Sequence, residues 1–99
     1  MYARVTVARF QADKHEQGIR VMRQVIVPAI KQREGCKGAM VLSDPQTARG
    51  MMISLWETEA KLLASHGHIP GAEDELPRLL AERPSTTTYE VVDMGLSDV

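Results

Sequence analysis

The sequence predicts an α+β fold with the element order β-α-β-β-α-β, and three features carry that reading. Residues 2–10, "YARVTVARF", alternate in character with a period of two. Residues 15–33 place Ile19, Met22, Ile26, Ala29 and Ile30 at spacings of three and four, the mark of an amphipathic helix. Two apolar runs, "KGAMVLSD" and "RGMMISLWE", meet at "DPQTA", whose Asp-Pro pair is hairpin turn chemistry.

The first strand has two unlike faces, Ala3, Val5 and Val7 on one and Tyr2, Arg4, Thr6, Ala8 and Phe10 on the other. In the long helix Pro28 removes a backbone donor and crowds the preceding turn, so a kink or bulge is expected near residues 23–27. Gly35 suits the helix C-terminus, and Cys36 reads as a small half-buried residue entering the second strand. Thr58 is the expected N-cap of a second helix, "TEAKLLASH". A further short helix, "ELPRLLAER", is expected with Pro77 near its first position, followed by a β-branched last strand, "STTTYEVVDM".

This order is the ferredoxin-like plan, a four-stranded antiparallel sheet with its helices on one face, and residues 1–99 are read as a single domain. The second sheet face also needs cover. Val41, Ile53, Leu55 and Val91 cannot all lie under two helices, so two copies are expected to pair through their sheets as a homodimer.

Twelve Lys and Arg against thirteen Asp and Glu leave no positive field for a phosphate backbone, so nucleic acid is not an expected partner. No run approaches the length of a membrane span, and "MYARVTVARF" reads as a strand rather than a leader, so a soluble, cytoplasmic protein is expected. With one cysteine there is no internal disulfide or Cys-based metal cluster, and no metal or cofactor is expected.

"ARVTVARF", "VPAIKQREGCKGAMVLSD" and "RGMMISLWETEAKLLAS" together resemble the antibiotic biosynthesis monooxygenase family of the dimeric α+β barrel superfamily. The resemblance covers almost the whole chain and rests on Pro28, Ala29, Gly35, Gly38, Trp56 and Glu57, with Cys36 where an aromatic residue is common. It implies a dimer and, in characterised branches, cofactor-independent oxidation of aromatic polyketides or degradation of haem. In the haem-degrading branch an Asn of the first strand, a Trp ending the third and a His of the second helix form the site. Trp56 and His66 match two of those places, Thr6 or a neighbour on the same strand stands at the third, and the chain contains no Asn.

His66 is therefore the candidate catalytic base, with Trp56, Thr6, Tyr89, Met22 and Met52 as candidate contacts to a small apolar or aromatic ligand. Each has a structural alternative: Trp56 as a packing anchor, His66 at a helix end, the methionines as gap fillers, and Tyr89 at an interface. His68 is expected in a solvated loop and His15 on an exposed helix start. Three functions stay open: a cofactor-independent monooxygenase acting on an aromatic or polyketide-like compound, a non-catalytic dimeric ligand-binding module, and a haem-binding or haem-degrading protein.

Overall fold

The structure, a computed structural model, describes residues 1–65, 69 and 71–97. In chain order it contains β1 (Tyr2–Arg9), a 3-10 turn (Ala12–Lys14), α1 (His15–Val21), a π-helical stretch (Met22–Ile26) and α2 (Val27–Lys31). Then come β2 (Cys36–Asp44), β3 (Arg49–Trp56), α3 (Glu59–Ala64), α4 (Ala72–Leu79) and β4 (Ser85–Glu90). The sheet order is β2-β3-β1-β4, antiparallel throughout, with the helices on one side: the ferredoxin-like α+β fold that the periodicities predict.

Register decides which side is which. Tyr2, Arg4, Thr6 and Ala8 pair with Trp56, Ser54, Met52 and Gly50, and this face lies beneath the helices. A Cβ on Gly50 would stand 2.8 Å from Ile19 Cδ1 and 3.1 Å from Met22 Sδ, so the helix rests directly on the sheet backbone there. Ala3, Val5 and Val7 pair with Leu55, Ile53 and Met51 on the other face, where Met40, Leu42 and Tyr89 are 47%, 45% and 55% exposed. Val41 pairs with Met52 and packs against the core, so it belongs under the helices rather than on the open face.

The expected bend is a π-helical turn. The Val27 N–H reaches back five residues to the Met22 carbonyl. Because Pro28 has no N–H to offer an ordinary α-helical bond, one residue is looped into the wider turn and the helix resumes behind it. Thr58 caps α3 as expected, its hydroxyl accepting from the Lys61 N–H at 3.1 Å, an interaction worth about 1 kcal/mol.

The hairpin turn is closed by Asp44, whose carboxylate accepts from the Gln46 N–H at 3.2 Å and the Thr47 hydroxyl at 2.9 Å. The Thr47 hydroxyl, foremost, holds the Asp44 carboxyl below its usual range, helped by the turn N–H groups and Arg49. A depressed folded value means that this stabilisation is present above the unfolded carboxylate range and is lost as pH falls through the folded one.

Three expectations change. α4 begins at Ala72, not three residues later, because Gly71 at φ 91° turns the chain into it and Glu73, Asp74 and Glu75 favour the positive end of the helix. Pro77 thus lies inside α4, where in so short a helix its missing donor costs one terminal bond. β4 stops at Glu90 instead of running to residue 94: Tyr2 is its last strand partner, and beyond it the Val91 N–H donates to the Met1 carbonyl at 2.9 Å. His15 is half-buried rather than exposed, edge-on to Phe10 with ring centroids 6.1 Å apart and its Nε2 3.1 Å from Ser43 Oγ. No helix of the described residues is long and apolar enough to cross a membrane.

Gly18 is buried against the ring of Phe10, itself fully buried, and an added Cβ there would overlap that ring. Gly18→Ala is expected to destabilise the fold by about 2 kcal/mol, seen as a lower urea midpoint at unchanged slope. A midpoint equal to wild type would refute this contact.

Candidate functional site

Side chains on the helix side form three rungs across the sheet: Trp56–Tyr2–Glu90, Ala39–Ser54–Arg4–Thr88 and Val41–Met52–Thr6–Thr86. Burial falls steeply from β3 to β4 along each rung. Trp56, Ser54 and Met52 on β3 are buried, Tyr2, Arg4 and Thr6 on β1 are half-buried, and Glu90, Thr88 and Thr86 on β4 are exposed. The helices therefore cover β3 and leave the helix side of β4 open. This uncovered strip is the candidate site.

Its floor is polar. The Thr6 and Thr86 hydroxyls lie 3.3 Å apart, a cross-strand pair able to hydrogen-bond in either sense. Beside them Arg4 donates from Nη2 to the Leu62 carbonyl of α3 at 2.8 Å. Burial pulls the Arg4 guanidinium below the ordinary arginine value, and the charge of Arg33 pulls the same way. Arg33 donates to the Ser65 carbonyl one turn later, so both cations address the C-terminal end of one helix.

At the Ser85 end of β4 the floor meets an apolar cleft of about 390 Å³, lined by Ile26, Ile69, Leu76, Leu80 and Pro84 among others. Pro84 immediately precedes β4, which joins the cleft to the strip.

Of the residues singled out from the sequence, Thr6 lies on this floor and Met52 is its rung neighbour on β3. Met22 is buried in the core beneath the helix. Trp56 has no exposed surface, and its indole N–H is already engaged, donating to Ser54 Oγ at 2.9 Å. Tyr89 pairs with Ala3 and so points to the open sheet face, opposite Thr6; one chain cannot bring the two to one ligand. His66 and His68 lie outside the described residues. No group of three or more His, Cys, Asp or Glu among the described residues is placed to hold a metal ion. Arg4, Thr86 and Thr88 were missed by sequence reasoning, although the period-two pattern already set Arg4 on the face of Thr6.

No family model matches the sequence. Uncharacterized protein Rv2557 of Mycobacterium tuberculosis strain H37Rv is 30% identical over 94 residues, covering 95% of this chain and 42% of that protein. Uncharacterized protein Rv2558 of the same strain is 32% identical over 91 residues, covering 92% of this chain and 39% of that protein. The chain thus spans about two fifths of the length of the curated relatives it matches.

Among solved structures, a Nitrosomonas europaea protein provisionally called an antibiotic biosynthesis monooxygenase superposes with a TM-score of 0.79 at 18% identity, over 94% of this chain and all of that one. A Streptomyces coelicolor monooxygenase, from the gene ActVA-Orf6 and in complex with nanaomycin D, superposes with a TM-score of 0.72 at 12% identity, over 98% of this chain and 92% of that one. The class these define is a ferredoxin-like α+β protein. The chain has the fold of the antibiotic biosynthesis monooxygenases, as the resemblance in its sequence implies.

Ser54→Ala would leave the buried Trp56 N–H without its acceptor, and the expected cost is about 1–3 kcal/mol. Urea unfolding followed by the fluorescence of the sole tryptophan checks it; unchanged stability would mean that the indole finds another acceptor.

Proposed function

We propose that this chain is a homodimeric, cofactor-independent monooxygenase of the antibiotic biosynthesis type, acting on a small aromatic or polyketide-like compound held on the helix side of β1 and β4. The observation that carries the reading is the uncovered strip. Three hydroxyl-bearing residues and one half-buried guanidinium line a floor that ends in an apolar cleft, the mixture small-ligand sites use. The shared fold of the nanaomycin-bound monooxygenase supports it.

On this reading the protein takes a proton from an electron-rich substrate, which then reduces dioxygen itself. A ring methylene is oxidised to a carbonyl: one oxygen atom stays on that carbon, and the other leaves as water with the two hydrogens the carbon has lost. His66 is the proposed base, the Thr6–Thr86 pair the polar contact, and Met52 the soft wall beside it. Trp56 supports the floor without touching ligand. Tyr89 moves from the ligand to the interface: with Met40 and Leu42 it belongs to the open sheet face that we assign to the second copy.

A non-catalytic binding module is the second reading, favoured by the engaged indole and by the lack of Asn for polarising bound oxygen. Haem degradation has less support, since Thr6, at the place of the Asn in that branch, is hydroxyl-paired to Thr86.

Oxygen uptake with dithranol as substrate separates the first two. The wild type is expected to consume oxygen above the buffer rate, and His66→Ala to lose at least tenfold of that excess while still binding the compound. Binding without uptake by the wild type supports the module, and a Soret band shifted and sharpened relative to haemin in buffer alone would restore the third reading. Sedimentation tests the dimer: the wild type is expected as two copies and Leu42→Asp as one. A monomeric wild type would remove the interface assignment.

A further inference from the structure

We infer that the strip selects an acidic ligand, a planar apolar body carrying a carboxylate or enolate that is received by Arg4 and Thr88. This rests on the proposed ligand site and names the class of molecule it takes.

Arginine has five N–H donors in a planar fork, and the Leu62 carbonyl occupies one of those of Arg4. Among the described residues no carboxylate lies within ion-pair distance of it. The charged group that acts on it is instead a second cation, Arg33. Among the described residues, what opposes the Arg4 guanidinium is the carbonyl end of α3, a helix of six residues whose end carries at most about half an elementary charge. The corner is thus electropositive and partly withdrawn from water, where an anion is held more strongly than on an open surface.

The surroundings suit a carboxylate more than a phosphate backbone or a membrane. Thr88 occupies the same rung as Arg4 on the neighbouring strand and is exposed, so its hydroxyl is open to a ligand on the helix side. The apolar cleft lies at the other end of β4, and Ser85 and Thr88 are about 10 Å apart along a strand, roughly the length of a small fused-ring skeleton. Glu73 lines the cleft and Glu90 lies beyond Thr88, so negative charge flanks both ends of the strip. An anion is therefore admitted in one place, at Arg4, and its apolar body is directed toward the cleft.

The test titrates the full chain with 1-naphthoic acid and with 1-naphthamide, its neutral analogue, at pH 7.5 by calorimetry. The wild type is expected to bind naphthoate at least tenfold more tightly. Arg4→Gln should erase that preference by weakening naphthoate at least tenfold more than naphthamide, and Thr88→Val should reduce it about threefold. If the wild type binds both equally, or Arg4→Gln keeps the preference, the inference fails and the ligand site stands. If neither probe binds, the site itself is refuted. Should Arg4→Gln not fold, Arg4→Lys decides: it keeps the charge without the fork, and an undiminished tenfold preference would overturn the assignment.

Discussion

The pairing of β1 with β3 is the constraint on which the rest depends. By setting Tyr2, Arg4, Thr6 and Ala8 opposite Trp56, Ser54, Met52 and Gly50, it gathers the largest side chain and the smallest onto one face. The glycine lets the helix approach, and the tryptophan fills the space at the far end of the strand. A slip of one residue would exchange the faces of β1 and carry Arg4 to the opposite side of the sheet. Trp56 and Ser54, two residues apart on β3, share a face in any register, and the indole N–H donates to Ser54 Oγ there.

From that pairing follows an uneven cover. The helical layer is centred on β3 and thins toward β4, whose described side chains are exposed on both faces. The sheet consequently offers two different surfaces at once. One is flat and apolar, carrying Val5, Val7, Met40, Leu42 and Ile53, and suits another sheet. The other is a narrow polar strip walled by helix ends, and suits a molecule. The separation of Thr6 from Tyr89 is the same fact seen at the scale of two residues: alternate positions on neighbouring strands face opposite sides of the sheet.

Local signals in the sequence were sufficient wherever the determining physics is local. Pro28 announces its own missing donor, and the π-helical turn falls within a residue of the expected bend. Thr58 announces its cap, and the Asp44-Pro45 turn its hairpin. Where the determinant is a partner far along the chain, the reading failed. The extent of β4 is set by its pairing with β1, eighty-eight positions from Tyr2 to Glu90, and nothing in "EVVDM" reports it. The candidate site was half legible for the same reason. Thr6 was found through a family resemblance, whereas Arg4 looks like any solvated strand residue until α3 and Arg33 are folded against it.

The π-helical turn has a consequence for the phase of everything after it. Each residue of an α-helix advances about 100° around the axis, so a single residue looped out between Met22 and Val27 resets the azimuth of the stripe that follows. Ile26 and Ile30 thereby continue the inward line begun by Val21 and Met22 instead of spiralling off it. Shortening that stretch by one residue would swing Ile30 toward solvent and a lysine or glutamine toward the sheet. The length of this segment is thus held by angular bookkeeping, independently of any chemistry at the strip.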